Sequence, residues 1–238
     1  MGFLVTYPQE KVAPDLQAQL AAMGPTQYLP LRHLTSVTLT APDEHLIATS
    51  DVLVLTSPFA LTVYLGHLRN LAPQATVAVL SQKMATKLTN AGVQRLVVAP
   101  QENQASLQRV LQDYPGGTIM TWLRGNLTVA HAMDQLPKLQ MVQVYQNTWS
   151  KAQTQLVADQ LAAPITRILV TSPASFQRLQ QVIQLVPAKF GQITYYVLGK
   201  STLEIIRDTH QSVIGPTQMK AVLRQMLQKM CRDEAESR

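Results

Sequence analysis

The stretch Leu53-Val54-Leu55-Thr56-Ser57-Pro58 returns far along the chain as Arg167-Ile168-Leu169-Val170-Thr171-Ser172-Pro173. In each copy an apolar run rich in Val, Leu and Ile stops at Thr-Ser-Pro, and a helical pattern follows at once. The serine can cap the new helix, and proline suits the first helical position, where a missing N–H costs nothing. Two strand-to-helix units built alike predict two similar α/β lobes. Backbone N–H groups left open at each helix start favour anions.

Working outward from the first copy, apolar strands are predicted near Val52–Leu55, Thr76–Leu80, Arg95–Ala99, Thr118–Trp122 and Met141–Tyr145, with helical stretches between them. Such alternation indicates βαβ units and a parallel sheet. Upstream, Gly2–Thr6 reads as a buried strand, Asp15–Met23 as a helix stopped by Gly24-Pro25, and Tyr28–Arg32 as a short extended segment. Around the second copy, strands are predicted near Ile168–Thr171, Ile193–Leu198 and Ser212–Ile214. A closing helix follows from about Thr217 to Met230, its apolar stripe beginning at Met219, and Arg232 to Arg238 read as a frayed tail.

Counting strands decides the architecture. The middle section holds five, but three C-terminal strands make a thin sheet until the two N-terminal ones are added. The expected fold is therefore α/β, with two similar lobes whose mainly parallel five-stranded sheets are flanked by helices and joined by two extended linkers. Residues 1–35 and 147–238 form a discontinuous domain in this reading, and 36–146 an inserted one, with crossings near Leu31–Thr38 and Val142–Thr148. A cleft between lobes is then the expected ligand site.

Composition narrows the ligand. The chain has 238 residues, 46% of them hydrophobic, which is enough for a substantial core. No apolar stretch approaches the ~18 uninterrupted residues that argue for a membrane span. Met1 to Pro8 has no basic leader and runs directly into a strand pattern, so secretion is not expected and the cytoplasm is. One cysteine, Cys231, leaves no internal disulfide framework.

The net charge is +6, but the 20 Lys and Arg are scattered and form no dense run with interleaved aromatics. That pattern argues against nucleic acid and fits a small polyanion. His33, His45, His67, His131 and His210 stand apart without metal-ligand spacing. No Gly-x-Gly-x-x-Gly follows a strand and no nucleophile-elbow sequence occurs, which disfavours dinucleotide binding and Ser-His-Asp hydrolysis.

Several residues then stand out. Ser57 and Ser172 fit two compatible roles, as helix caps and as markers of backbone anion sites. Arg124-Gly125 and Gly199-Lys200-Ser201-Thr202 are further strand-end turns, where small residues let a carboxylate approach the backbone and a cation can add charge. Tyr145 ends the last strand of the middle section; such a tyrosine either packs its ring and keeps its hydroxyl wet, or offers that hydroxyl to a ligand. Gln143 and Gln146 beside it read as surface residues.

The order and spacing of these pieces resemble the uroporphyrinogen-III synthases over nearly the whole chain. The resemblance rests on the opening strand with Pro8, the Leu16…Leu20…Gly24…Pro30 spacing, Asp51 with Thr56-Ser57-Pro58, and Leu88…Ala91-Gly92. It continues through Arg124-Gly125, Val144-Tyr145, Thr171-Ser172-Pro173, and Gly199…Thr202 after Tyr195-Tyr196-Val197-Leu198.

The resemblance implies a monomeric lyase without metal or organic cofactor. Its substrate would be hydroxymethylbilane, a linear tetrapyrrole with eight carboxylates, cyclised with inversion of the last pyrrole ring and loss of water. Neither nucleic acid nor a membrane is an implied partner. Tyr145 matches the family tyrosine proposed to help the hydroxyl leave. Ser57, Pro58, Phe59, Ser81, Arg124, Gly125, Ser172, Ala174, Ser175, Gly199, Lys200, Ser201 and Thr202 fall at substrate-binding positions. Tyr7, Ser81, Met84 and Val129 depart from the family's usual residues, Tyr7 and Val129 where a cation is expected. These losses favour an alternative, a protein of the same fold that binds a tetrapyrrole or another small anion without turnover.

Overall fold

The computed structural model describes residues 2–127, 132–162, 164–218 and 220–237. Val129, His131 and Met219 lie outside them. The N-terminal segment forms β1 (Gly2–Val5), α1 (Pro14–Met23) and β2 (Thr26–Tyr28). The middle forms β3 (His33–Ser36), α2 (Ala41–Ala48), β4 (Val52–Leu55), α3 (Pro58–Val63), β5 (Thr76–Val79), α4 (Gln82–Asn90), β6 (Leu96–Val98), α5 (Gln104–Gln112), β7 (Met120–Gly125) and β8 (Leu139–Thr148). The last section forms α6 (Lys151–Gln160), β9 (Ile165–Val170), α7 (Pro173–Leu185), β10 (Phe190–Val197), α8 (Lys200–Arg207), β11 (Ser212–Ile214) and α9 (Val222–Glu236). The chain divides into two compact units, Met1–Arg32 with Trp149–Arg238, and His33–Thr148.

In the first unit the strand order is β11-β10-β9-β1-β2, all parallel, so the chain start pairs with β9. Successive side chains of a strand point to opposite faces. Leu4, Ile168 and Val170 accordingly pack with Phe176, Leu179 and Tyr195 in one cluster. Phe3, Val5 and Leu169 pack with Tyr196, Met226, Leu227 and Met230 in another. Apolar residues on both faces are what a parallel sheet covered by helices requires.

The second unit carries six strands where five were expected, in the order β3-β8-β7-β4-β5-β6. Five are parallel, and β3 is antiparallel to β8, with His33 opposite Thr148 and Ser36 opposite Tyr145. Parts of the segments expected as extended linkers, His33–Ser36 and Tyr145–Thr148, are hydrogen-bonded to each other as strands. His33–Ser36 is short and half exposed, and its pairing comes from residues distant in sequence, so no local pattern announces it.

Two other expectations are corrected. The second strand is Thr26–Tyr28 and precedes the predicted segment, because its register is set by Phe3–Val5. The closing helix starts at Val222 and runs to Glu236, so the tail is anchored instead of frayed. Arg167, buried in β9, explains this: its Nε meets Glu234 Oε2 at 2.9 Å and its Nη2 donates to Asp233 O at 2.7 Å and Ser237 Oγ at 2.8 Å. Burial works against the Arg167 charge, but the contacts with Glu234 and Tyr196 outweigh it and raise the guanidinium pKa. No described helix is long and apolar enough to cross a membrane.

Connectivity fixes where each sheet can bind. From β1 the chain passes through α1 outward to β2, while from β9 it passes through α7 the other way to β10. In the second unit β4 leads to β5 and β6 on one side, and β7 leads to β8 on the other. Ligands of open α/β sheets bind beyond the carboxyl ends of strands at such reversals. The Thr-Ser-Pro turns after β4 and β9 stand at both.

Candidate functional site

At the carboxyl edge of the second unit, Ser57 Oγ accepts the Ala60 N–H at 3.0 Å and caps α3, with Pro58 first in the helix. The helix runs on as a π-helical segment, Tyr64–Leu68. Ser81 caps α4 through the Met84 N–H at 3.3 Å, and Asn103 caps α5 through the Ser106 N–H at 2.8 Å. Three neighbouring strands thus each feed a helix with a polar cap. Met84 itself belongs to the core.

Arg124 and Gly125 end β7, and Tyr145 of β8 stands opposite Gly125. A Cβ on Gly125 would lie 2.5 Å from the Tyr145 ring and 2.9 Å from its hydroxyl oxygen, so only glycine leaves the phenol its place. Phe59 meets the same ring edge-on, 5.2 Å between centroids. Thr56, Ser57, Trp122, Arg124, Gly125 and Tyr145 line a pocket of about 180 Å³, completed by Gln104 and Leu127.

Over that pocket the Arg124 guanidinium lies 4.7 Å from the centre of the Trp122 ring. Its Nε donates to the Gly125 carbonyl at 3.4 Å, and Asp134 stands 3.7 Å from Nη1. A largely desolvated cation, 13% exposed, at a strand end is suited to a carboxylate.

The first unit presents hydroxyls instead. Ser172 Oγ accepts the Ser175 N–H at 3.1 Å, and Ser175 Oγ lies 2.9 Å from Ser172 Oγ and 3.2 Å from Thr171 Oγ1. Thr6, at the end of β1, is buried, and its hydroxyl has no hydrogen-bond partner among the described residues. Beyond β10, α8 begins at Gly199 without a side-chain cap, and Thr202 is buried in its first turn. Lys200 is exposed and ion-paired with Glu204 at 3.6 Å, and Ser201 is exposed beside it.

The structure thus brings Ser57, Arg124, Gly125 and Tyr145 into one pocket, with Phe59 behind and Pro58 at its helix start. It groups Ser172, Ala174 and Ser175 at the start of α7, and Gly199 to Thr202 at the neighbouring strand end. Ser81 lies one strand away from the pocket, and Tyr7 packs against the core. Sequence reasoning missed Trp122, Thr56, Gln104 and Leu127 as pocket residues. Only the adjacency of Thr56 to Ser57 signalled any of them. Among the described residues no group of three His, Cys, Asp or Glu could hold a metal ion.

Two open, mainly parallel sheets, each reversing direction at a hydroxyl-capped helix start, define an open α/β protein whose strand ends suit anionic ligands. The family model described as uroporphyrinogen-III synthase HemD matches residues 29–221. The chain belongs to the uroporphyrinogen-III synthase family, lyases of tetrapyrrole biosynthesis.

Among solved structures, the uroporphyrinogen-III synthetase of Helicobacter pylori matches with a TM-score of 0.60 at 15% identity, over 99% of this chain and 98% of that one. A mutant uroporphyrinogen III synthase of Thermus thermophilus matches with a TM-score of 0.58 at 11% identity, over 100% of both. At these identities the likeness establishes the fold. No curated protein matches the sequence.

Proposed function

We propose that this chain converts hydroxymethylbilane to uroporphyrinogen III, with Tyr145 as the proton donor at the departing hydroxyl. Push from the pyrrole nitrogen breaks the carbon–oxygen bond, the phenol proton joins the hydroxide, and water leaves. The substituted α-carbon of the last ring attacks the resulting azafulvene to give a spiro intermediate; its bond to the neighbouring methylene then breaks, and the methylene rejoins the inverted ring at the free α-carbon. Loss of the proton from that α-carbon to the Tyr145 phenolate restores the phenol and the protonation balance.

The observation that carries this reading is the placement of the Tyr145 hydroxyl over Gly125, in the same pocket as the Arg124 guanidinium and the Ser57-capped helix start. A carboxylate held by Arg124, with the Phe59 N–H as the donor left open at the α3 start, would bring the reacting end of the bilane to the phenol. Ser172, Ser175 and Gly199–Thr202 would take further carboxylates on hydroxyl and backbone donors, without burying excess charge. Holding a flexible chain with its ends together is the entropy-trap mode of catalysis, and it needs placed anion sites more than a strong acid or base. The same reading has the chain act as a cytoplasmic monomer without metal or organic cofactor.

A coupled assay tests it. Freshly generated hydroxymethylbilane is supplied and isomer III is separated from the isomer I that forms spontaneously. Isomer III above background is expected. Isomer I alone would leave a non-catalytic tetrapyrrole binder of the same fold.

A further inference from the structure

Trp122 precedes Arg124 by two positions in β7, so both side chains rise from one face of the sheet. The indole is buried against Leu107 and Leu111 of α5 and Val52 and Val54 of β4. Its Nε1–H donates to Thr56 Oγ1 at 3.0 Å, within the turn that leads to Ser57. Its ring face carries the Arg124 guanidinium at 4.7 Å. One side chain therefore fixes the carboxyl end of β4 through a hydrogen bond and the cation on β7 through its π-system.

Among the described residues, further contacts of that guanidinium are looser. They are 3.4 Å to the Gly125 carbonyl, 3.3 Å to Met141 Sδ and 3.7 Å to Asp134. Each is longer or softer than a good charge-assisted hydrogen bond, at roughly 2.7–2.9 Å. Tryptophan offers the strongest cation–π face of the aromatic side chains.

We infer that Trp122 is a positioning residue, which holds Arg124 at a set distance from the Ser57 turn so that the guanidinium meets a substrate carboxylate at the pocket. This rests on the reading that a carboxylated tetrapyrrole occupies the pocket. A tryptophan that merely filled the core would matter equally with or without Arg124. A positioning role makes the two residues non-additive.

The test is a double-mutant cycle on uroporphyrinogen III affinity, measured by anaerobic calorimetry for the wild type, Trp122→Phe, Arg124→Met and the pair. Trp122→Phe is expected to weaken binding about threefold to tenfold when Arg124 is present. In the Arg124→Met background it should change nothing. Thr56→Val removes only the indole's acceptor and should follow the same pattern more weakly, which decides the matter if Trp122→Phe does not fold.

Equal losses in both backgrounds would overturn the inference. Wild-type isomer III formation is scored alongside. Isomer III with an additive cycle sinks the positioning role and spares the synthase reading; isomer I alone with a coupled cycle does the reverse. A wild type that does not bind uroporphyrinogen III overturns the positioning role, and if it also yields isomer I alone the synthase reading falls with it.

Discussion

The two Thr-Ser-Pro turns share sequence and cap geometry, yet the two units use their arginines in opposite ways. Arg124 stands at the carboxyl edge, on the rim of a pocket beside a phenol. Arg167 is instead tied inward to Glu234, and Arg178 donates to the Leu31 carbonyl at 2.9 Å with its guanidinium 5.3 Å above the Trp149 ring. Burial lowers the Arg178 pKa. The first unit's edge keeps hydroxyls and peptide N–H groups, while Lys200 beside it is exposed and paired with Glu204. A local motif thus fixes how a helix starts but leaves the charge at that start to neighbouring strands.

Arg167 and Arg124 are nearly equally buried, at 10% and 13% side-chain exposure, so what separates them is the partner: a carboxylate of the closing helix for Arg167, and a pocket rim for Arg124. Glu234→Leu presses hardest on this division. It would strand the Arg167 guanidinium, and breaking a buried pair by removing one partner typically costs about 3–5 kcal/mol. Urea unfolding should show that loss. A cost near that of an exposed pair, about 0–1 kcal/mol, would mean the tail network is dispensable.

Tyr145→Phe addresses the other half. A positioned proton donor contributes about 10²–10⁴-fold, and the lower end is expected because hydroxide loss from this activated substrate is easy and water can stand in for the phenol. Steady-state kinetics should show kcat falling about 10²-fold with KM nearly unchanged; a rise in KM alone would make Tyr145 a binding residue. Gly125→Ala approaches the same group from the facing strand. The new Cβ would meet the ring at 2.5 Å, so the phenol must swing away. A loss of about tenfold in kcat is expected, with a stability cost of about 1–3 kcal/mol from overpacking. Unchanged kcat would separate the phenol's position from the rate.

What was legible in the sequence was whatever local chemistry decides. Ser57 and Ser172 announce helix starts because capping needs only the next three residues, and the apolar strands announce a parallel sheet because both faces are covered. What escaped depends on distant partners. His33–Ser36 is a strand only because Tyr145–Thr148 pairs with it. Arg167 reads as an intrusion into an apolar run, and its partner lies in a tail that looks frayed. Trp122 reads only as the end of a strand, since its hydrogen bond to Thr56 crosses between strands. The apposition of Tyr145 and Gly125 follows from a register that shifts between Arg124 and Gly125, which no sequence pattern encodes.

The smallest effect tests the motif itself. Ser57→Ala and Ser172→Ala each remove one capping bond, at 3.0 Å and 3.1 Å, and such losses cost about 1 kcal/mol. Ser172 has a second hydroxyl, Ser175 Oγ, at 2.9 Å that can shift toward the vacated helix start, so its loss should fall below that of Ser57. Function should separate them further. Ser57 shares its pocket with Arg124 and Tyr145, and a loosened α3 start there should raise KM about threefold, whereas Ser172→Ala should move KM less than about twofold because several hydroxyls share its task. Denaturation midpoints and KM for the two variants provide the measurement. Equal KM shifts would show that both edges grip the substrate alike, and the contrast between a charged edge and a hydroxyl edge would then describe the fold without describing the chemistry.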